Sequence, residues 1–179
     1  DGSAYARRLA DAVQARLRAA GVRASRRSGA AGVASDTDVV FLPWRVAADA
    51  QRFGERLRRD GKQAVVVGSD SLDSGDFTLP GSYVASFAPD VRGIPGNAAF
   101  VRGYGAPFVS SFGPPAYVAT QAAIRAIARA CADGAATRAE VQRHLRTTSI
   151  ARTVLGRSLA FSALGDARGA TYAIFAPSG

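Results

Sequence analysis

Side chains able to carry chemistry are scarce in this chain. Cys131 is the only cysteine, His144 the only histidine and Lys62 the only lysine, and there is no methionine. A single cysteine excludes an intrachain disulfide and a cysteine-built zinc site. A single histidine, set between Arg143 and Leu145 on an expected helix, leaves any serine or cysteine nucleophile without an organised base, so His144 reads as a surface residue. No run approaches the roughly 18 apolar residues that a membrane-crossing helix requires. Phosphate-loop and dinucleotide fingerprints are missing too, since "GYG" and "GSD" match neither. Asp70, Asp73 and Asp76 are spaced i, i+3, i+6, but without the alternating acids and glycine of a calcium loop they read as an acidic turn. No metal, no cofactor and no enzymatic activity are expected from these residues.

What the chain does have is apolar material and arginine. With 47% hydrophobic residues in 179, it can build a sizeable core in one domain or two small lobes. The formal charge of +9 would suit a nucleic-acid partner if it were clustered. Instead the arginines are scattered from Arg7 to Arg146 through every segment, which is the pattern of solvated faces, and no nucleic-acid partner is expected.

The first seventy residues alternate helix and strand. Tyr5, Leu9, Val13 and Leu17 fall at i+4 spacing between Ser3, a candidate N-cap, and Gly21, a stop, predicting an amphipathic helix. Val22 to Arg27 suits at best a charged edge strand, and Ser28 to Ser35 a loop. Asp38-Val-Val-Phe-Leu is a continuous apolar run of the kind expected for a strand covered on both faces of a parallel sheet. A helix with Val46, Ala50, Phe53 and Leu57 follows, then Asp60-Gly61 and a strand from Gln63 to Val67. Such an order predicts an α/β fold with a doubly wound, mostly parallel sheet and right-handed crossovers. A sheet of this type opens with a strand, whereas the sequence opens with a helix, so it is expected to begin inside a longer protein.

The remainder is less regular. Ser82 to Phe87 alternates like a strand, Ala98 to Tyr104 forms a short helix, and two prolines open a helix in which Tyr117, Ile124, Ile127 and Cys131 share a face. Thr137-Arg-Ala-Glu140 is a capping box ahead of a further helix. Ser158 to Ser162 and Thr171 to Ala176 flank a hairpin-like end. The organisation this suggests is a lobe over 1–107 lacking its first strand, a helical segment over 108–157, and strands over 158–179 returning to the sheet.

In open α/β sheets ligands bind beyond the carboxyl ends of the strands. Three positions reach that rim: Tyr5, Trp44 with Arg45, and Ser69 with Asp70. Two aromatic rings, a guanidinium and a carboxylate on one edge form a receptor for a small polar ligand bearing an amine. The alternative is that Tyr5 and Trp44 serve packing and Asp70 a turn.

Asp1 followed by Tyr5-Ala-Arg-Arg-Leu-Ala resembles the D-x-x-x-Y-G-x-x-L-A turn of the branched-chain amino acid (Leu/Ile/Val) solute-binding proteins of ABC importers, in the type I periplasmic binding protein family. The stretch "DVVFLPWRVAADAQRFGERLRRDGKQAVVVGSD" is similar to that family's next strand, ligand loop, helix and strand. "GSYVASFAPD", "FVRGYGAPF", "AYVATQAAIRAIARA" and "LGRSLAFSALGDARGATYAIF" follow in family order, so the resemblance covers the second half of a member. It implies the second lobe of a secreted or lipid-anchored, extracytoplasmic receptor that traps a small molecule between lobes and hands it to a membrane permease. Tyr5, the loop from Trp44 to Val46, and Asp70 then correspond to ligand-contacting positions, with Asp70 pairing with an amino group. Ala6 replaces the usual glycine, Trp44-Arg45 replaces glycines and tyrosines, and Asp70 is one methylene shorter than the usual glutamate. The helical segment from Phe112 to Ala132 would pack on the first lobe or, in its absence, on a second copy of the chain. An extracellular sensor domain of a signalling protein and a small α/β enzyme are the alternative readings.

Overall fold

The computed structural model describes residues 2–105, 112–132 and 136–177. The elements in chain order are α1 (Ala4–Ala19), β1 (Val39–Leu42), α2 (Ala47–Arg59), β2 (Val65–Gly68), β3 (Tyr83–Ser86), α3 (Ala98–Tyr104), α4 (Gly113–Cys131), α5 (Arg138–Arg146) and β4 (Ala173–Phe175). They fall into two compact units, Asp1–Ser86 with Ile174–Gly179 and Phe87–Ala173.

In the first unit the strands stand in the order β1-β2-β3-β4. The first three run parallel, with Val39 opposite Val65, Leu42 opposite Gly68, and Val67 opposite Tyr83. This is the mixed α/β, largely parallel architecture that the helix-strand alternation predicts. α2 connects β1 to β2 and buries Ala47, Ala50, Gly54 and Leu57, one face of a helix whose other residues are mostly charged. Those residues meet Leu42, Val66, Leu72, Phe77, Leu79 and Val84 in a single core on one side of the sheet.

The other side is different. Val39, Tyr83 and Ile174 are exposed, and Phe41, Val65, Val67 and Ala85 are half-buried. β1 was expected to be covered on both faces, and it is not: it is an edge strand, with Val39 55% exposed. The apolar run records the strand's hydrophobicity and not how many layers cover it. Elsewhere in this unit one expectation fails and another holds. Val22 to Arg27 forms no strand; its Ala24 carbonyl instead accepts from the Gln14 amide at 3.0 Å and from the Arg18 guanidinium at 3.0 Å. α1 starts and stops as predicted, with the Ser3 hydroxyl accepting from the Ala6 N–H at 3.0 Å, yet Ala6 is its only buried residue, and Tyr5 and Leu17 lie exposed.

The second unit is built on α4 and α5 packed side by side. α4 opens with prolines in its first turn, as its sequence demands, and α5 carries both halves of the Thr137–Glu140 capping box. The face of α4 that is buried is the small one, Val118, Ala122, Ala126 and Ala130 at i+4 steps, because alanines admit a close helix neighbour. The face singled out by its larger residues points the other way: Tyr117, Ile124 and Ile127 are 42%, 60% and 45% exposed, and Cys131 is exposed. The Asn97 amide ties this unit together, donating to the carbonyls of Val91 at 2.9 Å and Val154 at 2.7 Å. Near the C-terminus an antiparallel bridge between Phe161 and Ala167 closes the "ALGDARG" turn. The partner arm of the expected hairpin, Thr171 to Ala176, is not paired with it and supplies β4 to the sheet.

Candidate functional site

Gly68 ends β2 because nothing larger fits. A Cβ there would approach Leu72 Cδ1 to 2.8 Å, and Leu72 is fully buried. The chain can therefore fold back directly above the strand end into a single 3-10 turn, Asp70–Leu72, which presents Asp70 at the carboxyl edge of the sheet. An acid follows a buried strand because burial of Leu72 pins the turn and leaves Asp70 half-exposed at its first position.

Ser69 locks this turn to the neighbouring strand end. Its N–H donates to the Leu42 carbonyl at 3.1 Å and its hydroxyl to the Trp44 carbonyl at 3.0 Å, and the residue is buried. The loops after β1 and β2 are thus held as one rim. Tyr5, in the first turn of α1, reaches that rim from 65 residues away: its hydroxyl donates to Asp70 Oδ1 at 2.9 Å. The hydroxyls of Ser69 and Ser71 also interact with the phenol. Partial desolvation and the Asp70 carboxylate, in that order of weight, raise the Tyr5 pKa above its ordinary value.

Of the five residues singled out by sequence, Tyr5, Ser69 and Asp70 are brought into one cluster. Trp44 joins it through its backbone, while its indole packs edge-on against Phe53, with ring centroids 5.1 Å apart, at the margin of the core. Arg45 is exposed on the same loop. Ser71 was not anticipated; the only sequence signal for it is the repeated hydroxyl either side of Asp70. No group of three metal-ligating side chains occurs among the described residues. Chemically, the rim offers a carboxylate with one oxygen already oriented by a phenol, beside hydroxyls and backbone dipoles. That arrangement can accept a cation through a charge-assisted hydrogen bond.

The raised Tyr5 value has a consequence for pH dependence. A group titrating higher in the folded than in the unfolded chain stabilises the fold fully below the ordinary tyrosine range near 10 and loses that contribution as pH rises through its folded value. Ultraviolet titration is expected to lose a late-ionising phenol in Tyr5→Phe. An unchanged titration curve in that variant would contradict the contact.

No protein-family model and no curated protein matches the chain. Solved structures do. An ABC transporter substrate-binding protein from Desulfitobacterium hafniense in complex with Leu superposes with a TM-score of 0.68 at 19% identity, over 97% of this chain and 54% of that one. A second structure of an ABC transporter substrate-binding protein from the same organism gives a TM-score of 0.72 at 21% identity, over 97% of this chain and 55% of that one. An extracellular ligand binding receptor from Desulfohalobium retbaense gives 0.54 at 22% identity, over 78% and 25%. The chain spans about half the length of the two Desulfitobacterium proteins. The likeness establishes the fold: a largely parallel α/β sheet flanked by helices, of the kind found in about half of each of those two proteins.

Proposed function

We propose that the chain is the ligand-binding lobe of an extracytoplasmic solute-binding protein of an ABC importer, taking an amino acid or a similar small polar molecule against the carboxyl rim of its sheet. The observation that carries this reading is the Tyr5–Asp70 hydrogen bond at the ends of parallel strands, an oriented carboxylate where such sheets bind ligands. Asp70 accepts the ligand's ammonium, Tyr5 holds the carboxylate in place, and Ser69 fixes the spacing between the Trp44 and Asp70 loops. Arg45 is exposed on the same loop, and its positive charge favours a ligand that also carries an anionic group. Binding proceeds without turnover, and the membrane partner is a permease. A lipid anchor on the outer face of the membrane would keep receptor and permease together. No helix among the described residues is long and apolar enough to cross a membrane. The Leu bound to one Desulfitobacterium structure makes an α-amino acid the natural first ligand to try.

The test is a nuclear magnetic resonance titration, which reads millimolar affinities, with leucine, other amino acids, and their N-acetyl derivatives, which lack the cation. Free amino acids are expected to shift the resonances of Tyr5, Ser69, Asp70 and Ser71, and acetylated ones to leave them in place. Equal shifts from both sets, or from neither, would overturn the reading.

A second copy of the chain is the partner this reading assigns to the exposed face of α4. Sedimentation velocity is expected to show a dimer that Ile124→Glu dissociates, since a charge at a 60% exposed isoleucine disturbs only an interface. A wild-type monomer at the highest accessible concentration would remove that partner.

A further inference from the structure

The two carboxylate oxygens of Asp70 are not equivalent. Oδ1 accepts the Tyr5 hydroxyl at 2.9 Å, whereas Oδ2 has no hydrogen-bond partner among the described residues. The phenol is itself held in place. Hydroxyls of Ser69 and Ser71 interact with it, and Ser69 is buried and bonded to the Trp44 carbonyl at 3.0 Å. The first turn of α1, which carries Tyr5, is fixed by the Ser3 cap on the Ala6 N–H and by burial of Ala6.

Organic cations use a carboxylate in two ways. A guanidinium is planar with parallel N–H groups, so it binds best when both oxygens accept at once. An ammonium is a compact charge with three diverging N–H groups, and a single carboxylate oxygen can satisfy one of them while the others turn to neighbouring acceptors. At Asp70 a guanidinium fork would have to share Oδ1 with the phenol or displace it. An ammonium needs only Oδ2.

The arginines of the chain itself follow this division. Asp90, whose Oδ1 meets only a backbone N–H besides, takes the Arg92 guanidinium on both oxygens at 2.8 Å each. A backbone N–H leaves that approach open, whereas a phenol brings a ring. Asp70 forms no ion pair among the described residues, although Arg45 is exposed on the loop that Ser69 joins to its turn.

We propose that Tyr5 is a specificity-determining residue of the rim: by occupying Oδ1 it reserves Asp70 for an ammonium group and discriminates against guanidinium and amidinium ligands of the same charge. The proposal rests on the receptor reading above and narrows its ligand to one whose cation is an amine.

The experiment is a nuclear magnetic resonance titration of the wild type and Tyr5→Phe with leucine and with N-amidino-leucine, in which a guanidinium replaces the α-ammonium and the single positive charge is kept. Tyr5 is 38% exposed and the variant retains its ring, so it is expected to fold as the parent does. In the wild type leucine is expected to bind about tenfold or more tightly than its amidino derivative, the worth of one forgone hydrogen bond to a charged group. In Tyr5→Phe, with Oδ1 released, that ratio is expected to fall to about a third of its wild-type value or less. Comparing ratios cancels what the bulk of the amidino group costs in both proteins. A ratio unchanged by Tyr5→Phe, or a wild type that takes both ligands equally, would overturn the proposal and leave the rim a cation receptor. Rim resonances that neither ligand moves would overturn the receptor reading and this proposal with it.

Discussion

Phe77→Ala is expected to cost about 3–5 kcal/mol of stability, the range for removing a fully buried aromatic side chain and leaving a cavity behind. Phe77 is 1% exposed and sits in the core with Leu57, Leu72, Leu79 and Val84. These residues come from α2, the Asp70 turn, the segment after it and β3, so the cavity would open at the point where the layers of the first unit meet. Set against the roughly 5–15 kcal/mol by which domains of this kind are stable, the loss is a large part of the whole. Urea titration would show it as a lower midpoint with an unchanged slope. Tyr172→Ala, at a position 77% exposed, serves as the comparison and is expected to stay within about 0.5 kcal/mol of the parent. Equal midpoints for the two variants would mean that the core lies elsewhere.

Asp70→Ala is expected to weaken amino-acid binding about 10- to 100-fold, which is the roughly 1.5–3 kcal/mol carried by a hydrogen bond to a charged group. Its effect on the melting temperature should be small, because Tyr5 is 38% exposed and a pair open to water contributes little to folding. Lost affinity with retained stability is the signature of a residue that meets the ligand. Asp70→Asn keeps the shape and an acceptor oxygen while removing the charge, and should fall nearly as far if the partner is an ammonium group. Tyr5→Phe leaves the carboxylate but frees it to rotate, so a smaller loss is expected. Unchanged affinity in Asp70→Ala would assign the carboxylate to the turn at the end of β2.

Local structure was legible wherever a single residue type satisfies a single backbone need. Ser3 caps α1, Gly61 turns the chain after α2 with φ of 72°, and Thr137 with Glu140 closes the first turn of α5. Each is settled by the hydrogen-bonding groups and torsions of a few neighbouring residues. The alternation in Tyr83–Ser86 likewise marked a strand with one buried side, and one side is buried. The rim cluster was legible at one remove. Parallel strands share a carboxyl end, so residues just beyond β1 and β2 had to lie near each other. That Tyr5 bonds to Asp70 while the Trp44 ring turns to Phe53 was not visible in the sequence, since it depends on where α1 lies over the sheet.

α4 shows the limit most clearly. Its larger residues, Tyr117, Ile124 and Ile127, make the more hydrophobic stripe, yet the alanine stripe is the one buried. Likewise "VVFL" reads as an interior strand and stands at an edge. The order of residues fixes which groups prefer to leave water, where helices and strands start and stop, and which strand ends carry polar side chains, because those preferences are local. Which apolar face is covered, and which side chain reaches which partner across 65 residues, depends on what packs against what, and that follows from the assembled layers alone.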